Sequence, residues 1–116
     1  MTQPAKRLLA LLVATLAILA TSLTPASPAA AAPIITGHSC PSGQGEYYCL
    51  VSPSGTVGPV TYTWYRDGHM LPIDPYSNQY FDYCHIGQSV TSRVVVTDST
   101  GSTSSVVGFV CQANWD

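Results

Sequence analysis

Two hydropathy regimes divide the chain. Residues 8–20 (LLALLVATLAILA) are apolar except for Thr15, whereas beyond residue 45 apolar and polar positions alternate in short runs. The cleanest run is 60–65 (VTYTWY), with Val60, Tyr62 and Trp64 on one face and Thr61, Thr63 and Tyr65 on the other. Period two marks a half-buried strand. Residues 46–52 (EYYCLVS) are rich in aromatic and β-favouring side chains and end at Pro53-Ser54-Gly55, a turn-forming cluster. Arg66-Asp67-Gly68 reads as a tight turn in which Gly supplies a positive φ. Runs 90–97 (VTSRVVVT) and 103–111 (TSSVVGFVC) flank Asp98-Ser99-Thr100-Gly101, which predicts a hairpin with a Gly-containing loop. Val90, Val94 and Val96 share one face, and Val107, Phe109 and Cys111 share another, with Gly108 expected at a bulge or close backbone contact. The stretch 70–83, broken by Pro72 and Pro75, is expected to hold a short edge strand and a loop. No segment after residue 31 carries a 3.6-residue apolar period long enough for a helix. The expectation is an all-β sandwich of five to seven short strands, burying Trp64, Val94, Val96, Phe109 and either Tyr47 or Leu50.

The apolar run near the start has a different meaning. Lys6 and Arg7 precede it, and the small-residue run 29–32 follows. Positive charge, apolar segment and small-residue site in that order form a secretory signal peptide, here residues 1–31 with cleavage after Ala31. The run is shorter than the ~20 residues a spanning helix needs, so no membrane association is expected after cleavage. Residues 32–38 are then expected to form a short N-terminal segment and 39–116 a single domain, with neither a linker to a second domain nor a C-terminal anchor expected.

Export changes the reading of the cysteines. Cys40, Cys49, Cys84 and Cys111 all lie beyond the leader. An even number in a short exported chain implies two disulfides, since the compartment is oxidising and so small a core benefits from a staple. Charge is sparse: after residue 31 the bases are Arg66 and Arg93, against Glu46, Asp67, Asp74, Asp82, Asp98 and Asp116. Such a surface cannot neutralise a run of phosphates, which excludes nucleic acid as a partner.

Residues 58–68 (GPVTYTWYRDG) and 87–101 (GQSVTSRVVVTDSTG) resemble the two most recognisable parts of PKD-like and immunoglobulin-like domains. The first corresponds to their tryptophan-bearing strand, the second to the penultimate strand and its turn. The resemblance runs from about His38 onward and implies a two-sheet sandwich, a fold that hosts many roles. It departs from the antibody pattern in that residues 90–97 lack the cysteine that would bridge to Cys49. On the sandwich model the early strand lies beside the strand ending near Cys84, which favours Cys49–Cys84 and leaves Cys40 to join Cys111. The competing pattern pairs neighbours, Cys40–Cys49 and Cys84–Cys111. Longer loops constrain the unfolded chain more, which also favours the first pattern.

Candidate chemistry is thin. His38, His69 and His85, the acids and many serines supply raw material for a triad, yet no serine sits in a Gly-x-Ser-x-Gly elbow, and no catalysis is expected. His69, Asp74, Asp82 and His85 have neither zinc-protease nor calcium-loop spacing and read as solvated loop residues, so no metal or other cofactor is expected. The suggestive feature is aromatic. Tyr76, Tyr80, Phe81 and Tyr83 crowd a Pro-bounded stretch, and Trp115 lies near the C-terminus. Tyrosine gives rigid, amphipathic contact area, so these four are the candidate ligand-binding residues. The expected function is a secreted, non-catalytic recognition or adhesion module for extracellular polysaccharide, cell envelope or protein. The alternative is an inhibitor of an extracellular hydrolase, presenting Met70-Leu71-Pro72 or the 53–58 loop on a disulfide-held scaffold.

Overall fold

A computed structural model describes residues 32–115, so the signal-peptide expectation lies outside the described residues. The chain forms eight strands: β1 Ile34–Ser39, β2 Ser42–Gly43, β3 Glu46–Ser54, β4 Thr61–Arg66, β5 His69–Met70, β6 Gln79–Tyr83, β7 Ser89–Asp98 and β8 Gly101–Val110. No helix occurs among the described residues. In one sheet, here sheet A, β3 is central, pairing with β1 and β2 along one edge and with β6 along the other. Sheet B runs β5-β4-β7-β8, and every pairing in both sheets is antiparallel. This two-sheet arrangement is compatible with an immunoglobulin-like fold. Residues 34–38, set before the domain in the sequence reading, supply most of β1 and are part of sheet A.

Alternation dictates which side chains meet between the sheets. Tyr47, Cys49 and Val51 of β3 face inward, as do Val90, Ser92, Val94 and Val96 of β7, and all are buried. Leu50 sits on the other face of β3 and is only half-buried, as is Phe109, which packs against the Tyr47 ring at 4.9 Å. Trp64 is fully enclosed between Tyr80 at 4.9 Å and His38 at 5.7 Å, and its indole N–H donates to the Ser77 carbonyl at 3.0 Å. A buried polar chain crosses the core. Tyr80 Oη donates to Ser92 Oγ on the opposite sheet (3.5 Å) and lies 3.1 Å from Tyr47 Oη. Through Tyr80 and Ser92 it connects the two sheets.

The turns follow their residue chemistry. Asp67 (φ 49°) and Gly68 (φ 83°) both occupy the left-handed region, which makes the β4–β5 connection a two-residue hairpin turn. Asp67 then accepts from Thr91 N at 2.8 Å, holding the turn against β7. At the β7–β8 hairpin Asp98 Oδ1 accepts from Thr100 N (2.8 Å) and Thr100 Oγ1 (2.6 Å). Its other oxygen accepts from Val57 N at 2.9 Å and so fixes the 55–60 loop. The bulge expected at Gly108 is not there. The β7–β8 register is unbroken from Ser89↔Val110 to Asp98↔Gly101, and a Cβ on Gly108 would meet nothing within 4 Å.

Both disulfides join neighbours: Cys40 to Cys49 and Cys84 to Cys111. The favoured pattern from sequence is therefore overturned. Its premise holds, since β3 and β6 are adjacent, but the antiparallel register sets Cys49 opposite Tyr80 while Cys84 N bonds to the Gly45 carbonyl. Cys84 is thus four residues away from Cys49 along the ladder, too far for a bridge. Longer loops would have added only about 2 kcal/mol in all, too little to distort a sheet. Cys40–Cys49 clamps the break between β1 and β2 onto β3, and Cys84–Cys111 ties the end of β6 to the end of β8. Two such bridges fit an oxidising environment, extracellular or periplasmic.

Candidate functional site

The alternation that fills the core also sorts the aromatic side chains. On β6, Tyr80 and Asp82 point one way and Gln79, Phe81 and Tyr83 the other. Tyr80 is 5% exposed and committed to the core through Trp64, Tyr47 and Ser92. It offers almost no surface of its own, although it helps to line a cleft beside Phe81. Phe81 and Tyr83 are exposed, and their rings meet edge to face at 5.2 Å. Tyr76 is exposed on the loop before β6, where its N–H is bound by Asp74 Oδ1 at 2.9 Å. The four candidates therefore divide into a pair on the sheet, one residue on a loop and one in the core.

Two further aromatics join the pair. Tyr48 on β3 is the register partner of Phe81 and faces outward with it. Its signal was present in the sequence: in the strand 46–52, an inward Tyr47 forces Tyr48 outward. Trp115 lies 5.9 Å from Tyr48, ring centre to ring centre. The tail that carries it runs along the β2 turn, with Gln44 N donating to the Ala113 carbonyl (3.0 Å) and Gln112 N to Ser42 Oγ (3.0 Å). Trp115 rests where Gly43 has no side chain; a Cβ there would collide with the indole. Trp115, Tyr48, Phe81 and Tyr83 thus lie across the outer face of sheet A, from β2 to β6.

Two clefts border Tyr48. One, of about 310 Å³, opens between Tyr48, Trp115, Pro41, Phe109 and Gln112. The other, about 370 Å³, is lined by Tyr48, Phe81, Tyr80, Gln79 and Ser77. The outward positions of β3 and β6 carry one charge, Glu46, opposite Tyr83. The cations lie elsewhere. Arg66 donates to Asp82 Oδ2 at 2.7 Å and to the Tyr83 carbonyl at 2.8 Å, and lies over the buried Tyr47 ring. Arg93 stacks on Tyr65 in sheet B at 4.6 Å.

The histidines stay apart. His38 packs on Trp64 inside the domain, with Ser105 Oγ 3.1 Å from its Nδ1, while His69 is exposed on β5 and His85 on the segment after β6. Among the described residues no group of three His, Cys, Asp or Glu side chains is placed to hold a metal ion. What the outer face offers is aromatic stacking with side-chain amides and hydroxyls beside it.

Compared with protein-family models and with curated proteins, the chain finds no match.

Proposed function

We propose that this domain is a secreted, non-catalytic recognition module, of PKD-like kind, that holds extracellular polysaccharide, cell-envelope material or protein on the outer face of sheet A. The observation that carries the reading is the set of four exposed aromatics, Trp115, Tyr48, Phe81 and Tyr83, on one face of a disulfide-stapled sheet. Aromatics on a rigid frame bind with little ordering cost, because each ring has only two side-chain torsions to fix. The sparse positive charge argues against nucleic acid and anionic lipid as partners. Cleavage of the leader would leave the module free of the membrane, and no cofactor is required.

The test is co-sedimentation of the disulfide-bonded 32–116 chain with insoluble polysaccharides and cell-wall preparations. Retention on one matrix, lost in a folded Phe81→Ala/Trp115→Ala variant, supports the reading; retention unchanged in that variant rejects this face.

A second reading, hydrolase inhibition, has its own observation. Val57 is 54% exposed on the 55–60 loop, and that loop is held by Asp98 and by Ser99, whose N–H and hydroxyl both donate to the Val57 carbonyl (3.2 and 2.8 Å). A pre-set exposed loop is what active-site insertion needs. Inhibition of a protease or glycosidase panel at micromolar protein, abolished by Val57→Asp, would favour it.

A further inference from the structure

The outer face of sheet A bears two open clefts that share one wall, the ring of Tyr48. On one side Trp115 and Pro41 supply apolar surface and Gln112 an amide; on the other Phe81 does so with Gln79. Two strand spacings, about 10 Å, separate β2 from β6. The clefts therefore sit side by side across the strands, not end to end along one of them.

From this arrangement we propose that the face binds an uncharged glycan chain, with consecutive sugar residues on either side of Tyr48. The inference rests on the recognition-module reading and gives it a ligand class. Three observations select the chemistry. First, β3 is paired along both edges, to β1 and β2 on one side and β6 on the other, so its backbone is spent and recognition falls to side chains. A peptide that binds by strand addition would have to take the free outer edge of β6, where it would not reach Trp115 on the far side of β3. Second, flat aromatic rings beside amides and hydroxyls match a ligand with apolar ring faces and a hydroxyl rim. Third, among the described residues the outward positions of β3 and β6 carry no cation and one acid, Glu46, which repels polyanions and gives no advantage to a charged sugar. Trp115 and Phe81 form the outer platforms, and Tyr48 contacts both sugars.

Affinity electrophoresis in native gels tests this with the disulfide-bonded 32–116 chain. The probes are hydroxyethyl cellulose, glycol chitin, mannan and a soluble β-1,3-glucan, each uncharged, and carboxymethyl cellulose as an anionic counterpart. Retardation by at least one uncharged polymer and not by the anionic one is expected. Tyr48→Ala should abolish it, and Phe81→Ala or Trp115→Ala should each weaken it roughly tenfold. Tyr48→Phe should retain it, and Arg93→Gln on the opposite sheet should leave it unchanged. Near-ultraviolet circular dichroism of each variant checks folding. No retardation by any uncharged polymer, or retardation that survives Tyr48→Ala, overturns the proposal. If the chain still sediments with intact wall material through Phe81 and Trp115, the recognition reading stands and the glycan assignment falls. Binding only to the protein fraction of such preparations would move the ligand to a polypeptide.

Discussion

Trp115 and Gly43 are in such close contact that a Cβ on residue 43 would lie 2.6 Å from the Trp115 backbone nitrogen and inside the indole's own space. The C-terminal tail is therefore docked by the absence of a side chain on β2. Gly43→Ala should displace the tail and cost about 1–3 kcal/mol, the usual range for overpacking. Trp64 is sealed in the core in both proteins, so a red shift in tryptophan emission reports on Trp115. An unshifted spectrum with an unchanged melting temperature would show that the tail is not seated there. Ligand binding should fall in Gly43→Ala as it does in Trp115→Ala, because both lose the same platform.

Tyr80 links the sheets through its hydroxyl, accepting from Tyr47 and donating to Ser92. Tyr80→Phe leaves two buried hydroxyls short of a partner at nearly constant shape. The expected loss is about 1–3 kcal/mol, or roughly 4–8 °C in Tm for each kcal/mol in a domain of this size. Removing all three hydroxyls, in Tyr47→Phe/Tyr80→Phe/Ser92→Ala, should recover most of that loss, since no orphaned group remains. A triple variant as unstable as the single one would show that packing, not hydrogen bonding, sets the cost.

The same residue marks the boundary of what the sequence discloses. Period-two alternation in 60–65 and 90–97 placed Trp64, Val94 and Val96 on inward faces, and Asp67-Gly68 and Asp98–Gly101 set their turns by local chemistry alone. Short strands in irregular surroundings were harder to read. Residues 79–83 follow a proline-broken stretch, and an alternation of only five residues, with Tyr80 inward and Phe81 and Tyr83 outward, does not stand out there from sequence. Tyr47 and Leu50 lie on opposite faces of β3, and only tertiary packing against Phe109 and Tyr80 decides between them. Register was not legible at all. The cysteine pairing depends on it, because adjacency of β3 and β6 is compatible with either pattern until the four-residue offset is known. The Trp115–Tyr48 contact joins the tail to a distant strand, and no local pattern encodes it.

The two disulfides should differ in what their loss does. Cys40–Cys49 closes a separation of 9 residues and Cys84–Cys111 one of 27. Loop-closure entropy then gives about 2.5 kcal/mol for the first and about 3.5 kcal/mol for the second. Cys84→Ala/Cys111→Ala should accordingly melt lower than Cys40→Ala/Cys49→Ala. It should also loosen the 112–115 tail that follows Cys111 directly, reducing Trp115-dependent binding at temperatures where the domain is still folded. Equal melting points would refute the loop-length ordering. Non-reducing peptide mapping checks the pairing itself, and recovery of a Cys49–Cys84 peptide would contradict the register on which it depends.

Acid should weaken the fold in two separable windows. His38 sits against Trp64 and the Cys40–Cys49 bridge with Ser105 Oγ at 3.1 Å, and burial lowers its pKa from the ordinary 6.5. A base with a depressed folded pKa is protonated first in the unfolded chain, so its contribution is complete above about pH 6.5 and drains away as pH falls toward the folded value. Asp98 behaves differently. The Thr100 hydroxyl, aided by the N–H groups of Val57 and Thr100, holds it below the ordinary 3.8, and its contribution is lost only when pH falls beneath that value. Melting temperature measured from pH 7.5 to 5 therefore isolates His38. The wild-type chain should lose stability across that range, and His38→Asn, which keeps a polar atom near Ser105 but does not titrate, should stay flatter. Parallel curves for the two proteins would mean that His38 carries its proton as readily in the folded domain as outside it, and that its place beside Trp64 does not exclude charge.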